Sequence, residues 1–220
     1  MKAAVIIFPG TNCDRETRKA LELSGFQVDY VWHEWDSINK YNLVVLPGGF
    51  SYGDYLRPGA IARFSPVMKS VEKYTIEKQG IILGICNGFQ ILLEAGLLPG
   101  AMMKNDVGHF ICKTVKLNVE PTKVFYKTKR EVELYIAHSD GKYVADPKTV
   151  EELEKNGQIL MKYVDNPNGS VHSIASIANV TFNVIGMMPH PERSSMKYHK
   201  NLDGLEIFNA LKEYIHACDR

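Results

Sequence analysis

At 220 residues and 45% hydrophobic content, the chain is long enough to bury a full core as one large domain. Its 26 Lys and Arg balance 25 Asp and Glu, a net charge of +1, which removes any global electrostatic case for nucleic acid or an anionic membrane as partner. The longest segment free of Asp, Glu, Lys and Arg, Asn166–Pro191, is rich in Asn and Ser, so no stretch reads as a membrane span.

The opening MKAAVIIFPGTNCDRE has the outline of a secretion signal, but its apolar core is short and it runs into a charged helical pattern instead of a cleavage site. AAVIIF (3–8) is expected to be a strand ending at Pro9-Gly10. The helix after it carries Thr17, Ala20, Leu21 and Ser24 on one face, with Thr11 and Asp14 matching a capping box and Ser24-Gly25 its end. QVDYVW (27–32) and LVVL (43–46) are further strands, the second closed by Pro47-Gly48-Gly49. A helical region within about 60–79 leads to the strand IILGI (81–85). Short apolar strands alternating with helices predict a parallel sheet covered on both faces.

Beyond residue 100 the pattern changes. HFICKTVKLNV (109–119) and EVELYIAH (131–138) alternate apolar and polar residues as half-exposed strands do. TVEELEKNG reads as a helix with Thr149 and Glu152 as a second capping box and Gly157 as its end. QILMKYV (158–164), SVHSIASIA (170–178) and NVIGMM (183–188) follow as strands. The terminal helix places Leu205, Phe208, Leu211 and Ile215 on its inner stripe. These segments predict an antiparallel or mixed addition to one α/β domain spanning residues 1–220.

Four cysteines, Cys13, Cys86, Cys112 and Cys218, lie far apart without CxxC spacing, as free cytosolic thiols do. Cys86 differs in context: GICNGFQ follows an apolar strand and precedes an apolar helix, a G-x-C-x-G form of the nucleophile elbow. The turn puts the thiol at a helix N-terminus, and the next backbone N–H, from Asn87, is directed where an oxyanion forms. A packed core thiol is the competing reading, and a base decides between the two. Pro189-His190-Pro191-Glu192 follows the strand NVIGMM, and in extended backbone His190 and Glu192 project to the same side. A carboxylate on one imidazole nitrogen leaves the other to take the thiol proton, so Cys86, His190 and Glu192 form a candidate triad for acyl transfer. Gly49, after strand LVVL, is the expected second oxyanion donor. Cys13 is read as a packing residue near the same sheet edge, Cys112 and Cys218 have no partner in view, and the histidines show no metal-ligand spacing.

The segments PGG, GICNGFQ and PHPE, in that order, resemble the class I glutamine amidotransferases. FPGTNCDRE, PGGFSYGDYLRPGAIARF, GLLPGAM and GMMPHPER narrow the resemblance, nearly end to end, to the glutaminase subunits of phosphoribosylformylglycinamidine synthases. The resemblance implies a flavodoxin-like open, mixed, mainly parallel sheet flanked by helices with additional antiparallel strands. It implies that Cys86 attacks the side-chain amide of glutamine, that His190 moves protons and Glu192 orients it, that Gly49 and Asn87 stabilise the oxyanion, and that Gln90 and Phe50 bind substrate. Where such sequences often show Ala-His-Gly-Glu-Gly, this chain has Ala137-His138-Ser139-Asp140-Gly141, so His138 carries either a site role or only a strand-end contact. No G-x-x-x-x-G-K-[ST] is present, so the resemblance implies a larger synthetase partner that holds ATP and Mg²⁺, a small accessory subunit, no cofactor or metal in this chain, and a cytoplasmic location. Ammonia would pass to the partner, which converts formylglycinamide ribonucleotide to the amidine in purine biosynthesis. The Ser51–Arg57 stretch within SYGDYLRPGAIARF is expected to face that partner. A binding module without acyl transfer and a free-standing peptide hydrolase are the competing functional readings.

Overall fold

The computed structural model describes residues 1–77 and 80–218. Strand Lys2–Ile7 (β1) leads to helix Asp14–Leu23 (α1), strands Gln27–Trp32 (β2) and Leu43–Leu46 (β3), helix Pro66–Ile76 (α2), strand Ile81–Ile85 (β4) and helix Asn87–Glu94 (α3). The second half contains strands Ala101–Met103 (β5), Ile111–Val119 (β6), Glu131–His138 (β7) and Lys142–Val144 (β8), and helix Pro147–Lys155 (α4). Strands Ile159–Tyr163 (β9), Ile174–Ala178 (β10) and Val184–Met187 (β11) and helix Asp203–Cys218 (α5) complete it.

Among the described residues one sheet has nine strands in the order β2-β1-β3-β4-β11-β10-β9-β6-β7. The first five are parallel, and the remaining four join them antiparallel. This is the expected open, mixed, mainly parallel architecture with an antiparallel extension. The strands at its centre, β3, β4 and β11, are buried along their whole length, which is why they read as unbroken apolar runs. Strand β7 alternates inward and outward as half-covered strands do. The chain winds one way from β1 to β2 and the other way from β1 through β3 and β4, so the carboxyl ends of β1, β3, β4 and β11 open onto one edge, where such sheets bind ligands.

Several local expectations change. Cys13, not Thr11, stands at the N-cap of α1 without a side-chain bond, because the Thr11 hydroxyl accepts from the Phe8 N–H and shapes the preceding turn instead. Helix α4 starts at Pro147, and its cap is Asp146, whose carboxylate accepts from the backbone N–H and hydroxyl of Thr149. The residue that resembled a cap is therefore the capped one. The 170–178 strand begins only at Ile174, since His172 and Ser173 are left-handed at φ 48° and 58°. Helix α2 falls within the expected 60–79 region, after a 3₁₀ turn at Ala62–Phe64; Lys78 and Gln79 lie outside the described residues. On α5, Phe208, Leu211 and Ile215 are buried as expected but Leu205 is half-exposed, and Ile207 and Tyr214 join the stripe. The three-residue pair β5–β8 was not expected at all.

Removing the observed α4 cap by Asp146→Ala is expected to lower stability by about 1 kcal/mol. Glu152→Ala, at the position the sequence pattern favoured, should stay within roughly 0.5 kcal/mol. Urea unfolding of the two variants checks the assignment.

Candidate active site

Cys86 closes strand β4 and caps helix α3 with φ 49° and ψ −103°, a conformation an L-residue adopts only where its surroundings hold it. Its backbone N–H is bonded to the Met187 carbonyl at 2.7 Å and its carbonyl accepts from the Gln90 N–H at 3.1 Å, which pins both sides of the bend. The flanking glycines are required by close approach. A Cβ on Gly88 would strike the Leu46 backbone, and one on Gly84 would strike the Gly88 backbone and Leu92. The elbow thus exists because α3 lies directly against β3 and β4. The thiol is 5% exposed, and Sγ lies 3.7 Å from the Ala137 carbonyl.

His190 leaves β11 at the same edge. The His-x-Glu contact forms as expected, with Nδ1 2.6 Å from a Glu192 carboxylate oxygen and the two residues 2% and 0% exposed. The backbone route differs from the extended one anticipated: Pro191–Ser194 make one 3₁₀ turn with His190 at its N-cap and Pro191 in its first position. The His190 N–H donates to the Tyr135 carbonyl at 2.8 Å, tying the loop to β7. Burial disfavours the charged ring, yet Glu192, with Cys86 and Cys13 alongside, outweighs it and holds the His190 pKa well above its ordinary value. Cys86 and His190 are therefore electrostatic neighbours. His190 Nε2 has no hydrogen-bond partner in the protein, so the ring nitrogen opposite Glu192 is left unengaged.

Gly49, Phe50, Cys86 and Gln90 line a narrow pocket with Asp54, Pro58 and residues 137–140; Asn87, His190 and Glu192 do not line it. Gly49 has φ 150° and bridges to Thr11, with Asn12 N and Thr11 Cα where a Cβ would stand. The Asn87 side chain accepts from the Ser51 N–H and donates to Asp54 and Gln90, so the residue that supplies the expected oxyanion N–H is locked to the 51–54 turn. Gln90 in turn donates to the Asp140 carbonyl at 2.6 Å, so it also holds the far wall of the pocket.

Sequence reasoning missed the ring of residues around the imidazole. Cys13, read as packing, has its sulfur within 4.8 Å of donor atoms of both His190 and Glu192, a trio with the ligand types of a metal site. Arg193 sets a guanidinium 3.3 Å from that sulfur, however, and bonds Glu16, so the cluster already contains a cation and suits a proton rather than a metal ion. Gly48 lets these parts meet: a Cβ there would lie 2.7 Å from His190 Cε1 and 3.2 Å from the Cys13 sulfur. In the sequence the Gly-Gly reads as a turn with Gly49 as an oxyanion donor, with no sign of the space that Gly48 clears for the ring. Asp54, left-handed at φ 53°, has its carboxyl pushed up to about 6, first by burial and then by Asp140. His138 is 3% exposed, and burial, with the nearby His190, pushes its pKa down to about 4.

Residues 1–215 match the profile of the CobB/CobQ-like glutamine amidotransferase domain. The structure of PurLQS from Thermotoga maritima is 40% identical over 97% of this chain and 98% of that one, with a TM-score of 0.89. A protein assigned to GMP synthase from Thermoplasma acidophilum is 17% identical over 100% of this chain and 96% of that one, TM-score 0.69. A glutamine amidotransferase from Thermotoga maritima is 14% identical over 98% of each chain, TM-score 0.67; these two share the fold.

The depressed His138 pKa has a consequence in acid. Between the ordinary value of 6.5 and about 4, the unfolded chain binds a proton at this ring that the folded chain does not, so lowering pH through that window removes stability. The loss attributable to His138 amounts to about 3 kcal/mol by pH 4. Urea unfolding of His138→Asn at pH 7 and pH 4.5 should show a shallower acid decline than wild type.

Proposed function

This chain belongs to the CobB/CobQ-like glutamine amidotransferase domain family, and we propose that it is the glutaminase subunit of a phosphoribosylformylglycinamidine synthase. The observation that carries the chemistry is the convergence at one sheet edge of a strained cysteine elbow, a buried His190–Glu192 pair and a pocket lined by Cys86, Gly49 and Gln90. In the proposed cycle Cys86 sulfur attacks the side-chain carbonyl carbon of glutamine, and the thiol proton resides on His190, whose raised pKa favours holding it. The carbonyl electrons move to an oxyanion held by the backbone N–H groups of Gly49 and Asn87. When the C–N bond breaks, its electron pair stays on nitrogen, the His190 proton joins it, and ammonia leaves a thioester on Cys86. Water then gives a proton to His190 as it attacks, the C–S bond breaks, and glutamate departs. Phe50 and Gln90 line the cavity that would hold the rest of the substrate.

Cys86 is favoured over Cys13 as nucleophile because Cys86 lines the pocket, whereas Cys13 is engaged with Arg193 and Asn12. The match to PurLQS, together with the FSYGDYLR and GLLPGAM stretches, supports a larger synthetase partner and a small accessory subunit. On this reading ATP and Mg²⁺ belong to the synthetase, which uses the ammonia to convert formylglycinamide ribonucleotide to the amidine. A cytoplasmic location goes with it, where the free cysteines stay reduced. The 51–57 segment supports the docking side of the proposal: Tyr55 and Leu56 are exposed, and the turn is bonded to Asn87 beside the thiol.

In the assembled complex, Cys86→Ala should abolish glutamine-dependent amidine formation and leave ammonia-dependent formation intact; parallel loss of both would rule out the division of labour. Gly48→Ala should push the imidazole aside and lower glutamine turnover by about 100-fold with an unchanged far-UV spectrum. A glutamine-like chloroketone should label Cys86 stoichiometrically by mass spectrometry, and labelling of Cys13 instead would reverse the assignment.

A further inference from the structure

One buried polar atom beside the pocket has no part in the chemistry above: Nε2 of His138, which makes no hydrogen bond within the protein. Its protonation state follows from its neighbours. The Asn105 side chain donates through Nδ2 to the carbonyls of His109 and His138, and its Oδ1 accepts from the Gly141 N–H at 3.1 Å. Those backbone partners fix which end of the amide is oxygen. His138 Nδ1 lies 3.1 Å from that same Oδ1, so Nδ1 must carry the hydrogen and donate. In a neutral ring Nε2 is then a bare lone pair. Neutrality is enforced by burial and by His190, which together push the pKa down to about 4. The Nδ1–Cε1 edge packs on Gly141, leaving no room there for a Cβ, so the Nε2–Cδ2 edge lies on the other side of the ring, and His138 lines the pocket with Cys86 and Gly49.

We propose that Nε2 of His138 accepts a hydrogen bond from the side-chain amide nitrogen of bound glutamine, making His138 a further catalytic residue that orients the leaving group. The inference rests on the glutaminase reading given above. Two observations place the contact at the reacting end of the substrate. His138 follows Ala137, whose carbonyl is 3.7 Å from the Cys86 sulfur, and it feels the charge of His190. The cationic α-ammonium of glutamine is better matched to the carboxylates of Asp54 and Asp140, which line the same pocket.

The chemistry needs such an acceptor. A planar amide nitrogen offers two N–H donors and no available lone pair. When Cys86 sulfur bonds to the carbonyl carbon, the nitrogen becomes pyramidal and its lone pair is freed. Holding one N–H on His138 sets the direction of that lone pair, which must meet the proton on His190 before the C–N bond can break. His138 neither gains nor loses a proton in the step.

The test compares glutamine with the γ-methyl ester of glutamate, whose methoxide leaving group has no N–H to give, in the full-length chain assembled with its synthetase. His138→Asn keeps a donor near the Nδ1 position and removes the Nε2 acceptor; His138→Gln restores an acceptor near Nε2. His138→Asn should lower kcat on glutamine about 10- to 100-fold. It should change the ester rate by less than about 3-fold, raise KM for glutamine by a smaller factor than kcat falls, leave iodoacetamide labelling of Cys86 near wild type, and be largely rescued by Gln. Equal losses on amide and ester, an effect confined to KM, or no effect would overturn the assignment. If the wild-type complex released no ammonia from glutamine, the glutaminase reading itself would fall, and this inference with it.

Discussion

The buried contact between His190 and Glu192 is the constraint around which the site is organised. A carboxylate with no solvent exposure is tolerated only when an opposite charge and hydrogen bond replace water, and removing one partner of such a pair leaves an uncompensated charge worth about 3–5 kcal/mol. Much of the surrounding architecture serves to make that contact possible. Pro191 starts the 3₁₀ turn that brings residues 190 and 192 together, and Gly204 is a glycine because the Pro191 backbone occupies the place of its Cβ. Gly48 clears the space the ring fills, and Arg193 carries positive charge to the Cys13 side of the cluster.

The left-handed Cys86 is the complementary device. One element holds an imidazole beside a carboxylate; the other holds a strained backbone at Cys86. The bend at Cys86 is held by a hydrogen bond to Met187, two residues before the proline that precedes His190. Cys86 and His190 are thus positioned through a single ladder between β4 and β11, whose register pairs Gly84 with Gly186 and Ile85 with Met187. A rigid parallel pair is a more accurate mount than two loops would be.

What could be read from the sequence follows from which signals are local. The parallel strands were legible because burial on both faces makes them continuous apolar runs, and the elbow because glycines mark unusual backbone; the His190–Glu192 contact was legible too, but through an extended route where the chain makes a 3₁₀ turn. Cys13, Arg193, Asn105 and Gly48 were not, since each acts through neighbours distant along the chain. Cys13 meets Arg193 across 180 positions, and Asn105 meets His138 across 33. The α4 cap misled for the opposite reason: Thr149 and Glu152 satisfy a local pattern that Asp146 satisfies better in space. Strands of three residues, β5 and β8, show no period at all. The 51–57 turn carries Tyr52, Asp54 and Leu56 in left-handed conformations that no composition rule assigns to such residues.

The antiparallel half of the sheet does not carry Cys86, yet it reaches the His190 main chain and the pocket. Through Tyr135 it grips the main chain of His190, and at its end it presents His138. Strand β7 pairs with β6 alone in the ladder, so this hairpin is held to the protein by fewer strand neighbours than the interior. Proteins open in cooperative units of unequal stability, and strand neighbours on one side only make an edge strand's pairing one such unit. Opening of β7 would therefore release His138 and the bond that holds the His190 main chain in one event, although Cys86 stays mounted on β4.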